Sequence, residues 1–345
     1  MKIAIPAEVK VQEKRVALVP QACAQLIQQG HQVYLQQGAG MACGYPDALY
    51  EQYGVICCST AESLYAAAEL ILKVKEPQPE EWKFLRPEHL LFCYLHLAAE
   101  PDLLRYLKRV GLTAVGFESV IDQGQLPLLK PMSIIAGKLA VHAGSQLLQH
   151  QKGILLGGLA STERGHVVVL GAGNAGLAAT ELAASLGAQV SVFDLDYQRL
   201  QQARLIGHHV SSFYPYAEAI AEKVKHADLI VGAVLVPNKK APVVVSEKMV
   251  SQMQANSVIV DIAVDQGGCI ETTRATNYDE PSYRFNDVIH YAVTNMPAAV
   301  ANTASQALSA SILPYVSRLA TTNWRQDKVL VTAINVDKGQ CLIGE

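Results

Sequence analysis

The chain has 345 residues, a length that favours two domains at roughly 100–200 residues each, and its 50% hydrophobic content is enough for two cores. Only 17% of residues are charged, and 28 Lys and Arg against 31 Asp and Glu leave a net charge of −3, which speaks against a nucleic-acid or membrane-surface binder and for a small-molecule partner. Seven cysteines (Cys23, Cys43, Cys57, Cys58, Cys93, Cys269, Cys341), with no CxxC and no Cys/His spacing that holds zinc, read as reduced thiols without a metal, and no run reaches the ~18 apolar residues of a membrane helix.

In chain order, short runs of β-branched and apolar residues at 2–6, 32–35, 70–74, 91–95 and 113–117 alternate with helical segments such as 20–29 and 101–110. This rhythm predicts a mostly parallel sheet with both faces covered. Residues 131–153 follow as a long helix whose apolar face is Ile135, Leu139, Ala143 and Leu147, with Pro131 at its start and Ser133 as its cap. A second series of strands opens at His166 and continues at 190–194, 228–234, 257–262 and 290–293, before a helix at 301–319 marked by Ala304, Leu308, Ile312 and Val316. The N-terminal MKIAIPAEVK lacks the apolar run of an export signal, so a cytoplasmic protein is expected. The expected α/β architecture is two Rossmann-like doubly wound domains separated by a cleft and joined by the two long helices. Residues 1–130 with 303–345 form a substrate domain and 131–302 a nucleotide domain.

Residues 166–176 read HVVVLGAGNAG, a buried strand running into Gly171, Ala172, Gly173, Asn174, Ala175 and Gly176 and then a helix at 177–187. Gly171 permits the tight turn, Gly173 lets the backbone approach a pyrophosphate, and Gly176 lets helix and strand pack closely, with the helix N-terminus supplying N–H groups to the phosphates. The next strand ends at Asp194, 23 residues after Gly171, near the ~20 expected for an acid on the adenosine ribose. A carboxylate there repels a 2′-phosphate, so NAD is favoured over NADP, although Arg199 is a candidate phosphate ligand five residues on.

Other ionisable residues fall at the ends of predicted strands, where open α/β sheets bind ligands: Arg15, Lys73, Lys75, His96 and Asp265. Together they suit an anionic substrate whose carbon loses a hydride while the neighbouring nitrogen loses a proton. Arg15 offers a planar fork for a carboxylate, Lys75 a compact charge for a carboxylate or a developing carbonyl oxygen, and His96 a proton exchangeable near neutral pH. Asp265 is suited to orienting a water or accepting a proton from an ammonium. These are the parts an amino-acid dehydrogenase requires.

The segments RVALVP (15–20), GHQVYLQQGAG (30–40), LILKVKEP (70–77), YLHLAA (94–99), LPLLKPMS (126–133), GAVLVP (232–237), VDIAVDQGGC (260–269), NMPAAV (295–300) and INVDKG (334–339) form a collinear series. In them the chain resembles the L-alanine dehydrogenases, of the family that also contains the NAD(H)-binding domain of proton-translocating transhydrogenase. The resemblance implies that Arg15 and Lys75 hold the substrate, that His96 and Asp265 are the catalytic pair, and that Tyr94 and Met132 line the substrate site. On the NAD side it implies Ser133, the glycine loop, Asp194, Arg199, Val234, Leu235, Ile262, Asn295 and Met296, and it implies a hexamer. The sequence departs from the family at Ile134, where a glutamate is usual, at Lys138, at Ala301 and Asn302, and in GGLAST at 157–162. Alternatives open at this point are a transhydrogenase-like NAD(H)-binding subunit, a catalytically altered NAD-binding module, and a dehydrogenase for another small amino acid. His96 and Asp265 oppose the transhydrogenase reading, because that branch lacks both.

Overall fold

In the computed structural model, which describes residues 1–235 and 240–342, the two series of β-branched runs build two separate sheets. The chain divides into two units, Met1–Met132 with Ala298–Glu345, and Ser133–Pro297.

The first unit contains β1 (Lys2–Ile5), β2 (Gln32–Gln36), β3 (Ile56–Cys58), β4 (Leu70–Leu72), β5 (Leu90–Cys93) and β6 (Thr113–Gly116), in the spatial order β6-β5-β4-β1-β2-β3. These pair in parallel, and two C-terminal strands, Ile334–Asp337 and Gln340–Cys341, extend the β6 edge antiparallel. The inner strands β4, β5 and β6 are buried along their whole length, which is why they read as unbroken apolar runs. Helix Pro101–Val110 starts on its proline, buries Leu103 and Leu107 one turn apart, and stops at Gly111, whose φ of +80° is the left-handed value that closes a helix.

The second unit contains β7 (His166–Leu170), β8 (Gln189–Phe193), β9 (Val210–Phe213), β10 (Leu229–Gly232), β11 (Val258–Asp261), β12 (Ser282–Phe285) and β13 (Val288–Tyr291). Their order is β12-β13-β11-β10-β7-β8-β9, parallel except for β12. The sequence pattern missed the short β3, β9, β12 and the C-terminal pair. Most of these residues are only partly buried, so their alternation is weak.

Three local expectations need correction. The helix after β7 begins at Asn174, not residue 177, with Gly173 as its N-cap. The first long helix is Lys130–Gln151, so Ser133 lies inside its first turn and does not cap it. Its core face is also rotated by one residue. Ala136, Ala140, Val141 and Leu148 enter the core, whereas Leu139, Ala143 and Leu147 are half-buried. Small residues are needed on part of this face because the helix lies very close to its neighbours: a Cβ on Gly137 would stand 2.0 Å from the Ala175 carbonyl oxygen.

The second long helix, Ala301–Leu319, buries Ala304, Leu308, Ile312 and Val316 as its period requires. It lies wholly in the first unit, so the chain crosses back ahead of it, at residues 297–298. Two of its buried serines, Ser305 and Ser309, accept the backbone N–H groups of Val16 and Val19 at 3.0 and 3.1 Å and so fix the segment after Arg15.

Gly137→Ala tests the close helix contact. Alanine is favoured over glycine by about 1 kcal/mol in an open helix, but overpacking costs about 1–3 kcal/mol. The expected result is net destabilisation in urea unfolding.

Candidate active site

In both sheets the strand order reverses beside the first strand of the series, between β1 and β4 in one and between β7 and β10 in the other. Open α/β sheets bind ligands outside the carboxyl ends of strands at such a point. The residues chosen from sequence lie on or near segments leaving those ends.

In the first unit, Glu8 follows β1 and its carboxylate accepts the backbone N–H groups of Val74 at 2.7 Å and Lys75 at 3.4 Å. Lys73 is fully buried between Glu8 at 3.1 Å and Glu81 at 2.9 Å. Burial opposes its charge, but the two carboxylates outweigh it and hold the ammonium above its ordinary pKa. Lys73 is therefore an internal ion-pair centre that anchors the backbone of the half-buried Lys75. Alongside, the Tyr94 N–H donates to the Val74 carbonyl at 3.1 Å, which sets the segment after β5 next to the one carrying Lys75.

Arg15 is 2% exposed. Its Nε and Nη2 donate to Glu13 Oε1 and Oε2 at 2.7 and 2.5 Å, its own backbone N–H donates to Oε1 at 3.0 Å, and Nη1 reaches Met132 Sδ at 3.1 Å. Burial works against the guanidinium, and Glu13 overcomes it, so the pKa is raised. The fork edge expected to meet a ligand is thus engaged by Glu13 within the protein.

Tyr94 is buried, and its hydroxyl donates to the Leu128 carbonyl at 2.6 Å. Burial raises its pKa, with Arg15 pulling the other way, so the phenol stays protonated at neutral pH. Its ring stacks on the exposed His96, centroids 5.9 Å apart and planes 9° from parallel. His96 has φ +47°, an uncommon backbone state for a residue with a side chain. Glu118 holds it there: its carboxylate accepts the N–H of Leu95 at 3.1 Å and that of His96 at 2.7 Å. These contacts gather Arg15, Tyr94, His96 and Met132, with Lys75 on the neighbouring strand end.

In the second unit, Gly171 has φ +94°, and a Cβ there would lie 2.7 Å from the Ala233 carbonyl oxygen. A Cβ on Gly176 would fall 1.7 Å from the Gly171 carbonyl oxygen, whereas one on Gly173 would meet nothing within 4 Å. Two glycines are thus fixed by packing, and the third leaves open space at the N-terminus of helix Asn174–Ser185. Such a loop fits a dinucleotide pyrophosphate.

Asp194 follows β8 and accepts the Ala172 N–H at 2.6 Å and the Asp196 N–H at 2.8 Å, which places its carboxylate against the loop. Arg199 is exposed and faces Asp196 at 3.7 Å. Val234 is half-buried and Leu235 exposed after β10; residues 236–239, which include the end of the GAVLVP motif, lie outside the described residues. Ile262 is half-buried against the core and Ser133 is half-buried in its helix. Asp265 is exposed and accepts the Asn295 N–H at 3.4 Å; Asn295 has φ +57°. The buried Met296 accepts the Tyr278 hydroxyl at its carbonyl, 2.8 Å away.

Sequence reasoning passed over Glu8, Glu13, Glu118 and Asp261. Isolated carboxylates near lysines and arginines look like solvated charges, and only Asp261, beside Asp265 in VIVDIAVDQGG, carried a usable signal as an acid at a strand end.

The family model described as the N-terminal domain of alanine dehydrogenase/PNT matches residues 4–136, and that for the C-terminal domain matches residues 140–343. Alanine dehydrogenase of Bacillus subtilis (strain 168) is 44% identical over 325 residues, covering 93% of this chain and 86% of that protein. Alanine dehydrogenase of Halomonas elongata is 43% identical over 350 residues, covering 99% and 94%. Among solved structures, an L-alanine dehydrogenase superposes with a TM-score of 0.95 at 43% identity, covering 99% of this chain and 97% of its own. A transhydrogenase from Sinorhizobium meliloti shares the fold, with a TM-score of 0.86 at 23% identity and 99% coverage of both chains. With both of its domain models matched and relatives this similar over nearly its whole length, the chain belongs to the alanine dehydrogenase/PNT family.

Proposed function

We propose that this protein is an NAD-dependent alanine dehydrogenase that interconverts L-alanine, NAD and water with pyruvate, ammonium and NADH, releasing one proton in the oxidative direction. The observation that carries this reading is the set of Arg15, Tyr94, Met132 and His96 gathered at the strand ends of one unit, in a chain whose other unit has a complete nucleotide loop with Asp194 against it. Substrate binding belongs to the first unit and NAD binding to the second. The protein is read as a cytoplasmic homo-oligomer, and no helix among the described residues is long and apolar enough to cross a membrane. Six copies is what the family resemblance implies.

NAD, when bound, takes the hydride from the amino-acid carbon and returns it in the reverse direction. The glycine loop and helix N-terminus would hold its phosphates, and Asp194 its ribose hydroxyls. Ser133, Val234, Leu235, Ile262, Asn295 and Met296, which the family resemblance implies, would complete that side. Arg15, kept charged by Glu13, and Lys75 hold the substrate carboxylate and the developing carbonyl oxygen. Glu13 holds the Nε and Nη2 atoms of Arg15, and Nη1 lies beside Met132. Tyr94, protonated and fixed to Leu128, gives His96 a flat surface to stack on. The substrate ammonium first gives up one proton, and hydride loss from the neutral amine leaves an iminium; His96 with Asp265 takes a proton from the water that adds to it, and returns it as the carbinolamine releases ammonium.

His96→Ala lowers turnover by roughly 10²–10⁴, the usual worth of a positioned acid or base. It leaves NADH binding and the melting temperature nearly unchanged, and it removes the imidazole ionisation from the pH–rate profile. Near-normal turnover with a large loss of stability would make His96 structural.

Arg15→Ala and Lys75→Ala damage the reductive amination of pyruvate while an NADH fluorescence titration stays close to wild type. Arg15→Lys is also impaired, because an ammonium cannot both fork onto Glu13 and reach a second carboxylate.

NAD is used in preference to NADP, and Asp194→Gly weakens NAD use and narrows the gap. Comparable kcat/KM for the two cofactors in the wild type would remove Asp194 from the ribose.

A further inference from the structure

We infer that Asp261 is a positioning residue of the reaction, a clasp that holds the loop bearing Asp265, and this rests on the role given to Asp265 above. Asp261 ends β11 and is 1% exposed. From it the chain leaves through the short turn Ile262–Gln266, passes Gly267 and Gly268 at φ +95° and +79°, and returns at Cys269. The carboxylate bridges the two ends of that loop. Oδ1 accepts the Ala263 N–H at 3.0 Å, and Oδ2 accepts the Cys269 N–H at 3.0 Å and the Thr273 hydroxyl at 2.8 Å. The Cys269 thiol lies 3.6 Å from Oδ1, and burial holds that thiol protonated.

The surroundings are shaped around this group. A Cβ on Gly268 would stand 2.9 Å from Oδ2, and one on Gly232, at the end of the neighbouring β10, would stand 2.8 Å from Oδ1. Asp265 lies midway between the two clasped ends, four residues from Asp261 and four from Cys269, and its own carboxylate meets the Asn295 N–H. The position of Asp265 is therefore set at both ends of the loop by one buried carboxylate.

Two oxygens that receive several donors cannot be replaced by an amide. Asparagine keeps one acceptor oxygen and turns an N–H₂ toward donors, so one side of the clasp opens. Burial raises the Asp261 carboxyl above the ordinary aspartate value, opposed by those same hydrogen bonds. A group held against that cost by donors from both loop ends suits a fixed loop.

The test is a double-mutant cycle in the reductive amination of pyruvate with ammonium and NADH. Asp261→Asn lowers kcat by roughly 10–100-fold, as expected for a reacting group displaced by about 1 Å. KM for pyruvate and the NADH dissociation constant change by less than about threefold, because their charged contacts lie elsewhere. In an Asp265→Asn background the same substitution costs less than about twofold more, since positioning has no effect once the positioned group is gone. Thr273→Val, which removes one donor and preserves shape, repeats the pattern with a smaller loss and serves if Asp261→Asn does not fold. Losses that multiply in both backgrounds would overturn the inference, because Asp261 would act independently. Near-wild-type kcat in Asp261→Asn and Thr273→Val, with Asp265→Asn impaired, would overturn it while leaving the role of Asp265 intact. Near-wild-type kcat in Asp265→Asn would overturn the role of Asp265 and the clasp with it.

Discussion

Backbone N–H groups that emerge past the carboxyl edge of a parallel sheet have no strand left to pair with, and the site of this protein is built on how they are satisfied. A buried N–H without a partner costs about as much as a lost hydrogen bond. Here carboxylates supply the acceptors: Glu8 for Val74 and Lys75, Glu13 for Arg15, Glu118 for Leu95 and His96, Asp194 for Ala172, and Asp261 for Ala263 and Cys269. Charge-assisted hydrogen bonds of this kind are stronger and more directional than neutral ones. Each one immobilises a segment that presents a residue proposed to meet substrate or NAD, so loops that would otherwise be mobile become rigid supports.

The same carboxylates answer a second difficulty in the first unit, where cations sit almost without water. Arg15 and Lys73 are buried with Glu8, Glu13 and Glu81 around them. Desolvating so many charges seldom adds net stability over a well-packed apolar core. What the arrangement provides is a guanidinium kept charged where an anionic substrate is proposed to bind, and an ammonium that anchors the segment bearing Lys75. Removing one partner strands the other, so Glu13 and Glu8 matter to the site although neither is assigned a direct contact with substrate.

Two sheets with the same reversal of strand order thus carry different chemistry. In the second unit the loop after β7 is narrowed to glycine, since a Cβ at Gly176 has no space beside the Gly171 carbonyl. In the first, the equivalent edge is crowded with charged side chains. The fold sets where a ligand sits, and the residues on the strand ends set what it is.

Much of this was legible in the sequence. The inner strands are buried on both faces and therefore written as continuous apolar runs, and the glycine loop with Asp194 reflects backbone demands that few other residues meet. Arg15, Lys75, His96 and Asp265 stood out as ionisable groups at predicted strand ends, and the collinear motifs tied them to one family. The rest depended on residues distant in the chain. Edge strands such as Val210–Phe213 have little apolar alternation, and the buried face of Lys130–Gln151 includes Gly137, Ala136 and Ala140 beside Val141 and Leu148, and the role of Gly137 shows only when the helix is laid against Ala175. Glu8 and Lys75 are 67 residues apart, and Glu118 and His96 are 22 apart. Local pattern records what a segment requires of its own backbone, and that much the sequence by itself determined. Which carboxylate meets which N–H was decided only by the tertiary structure, because it depends on strand order, and strand order is a property of the folded chain.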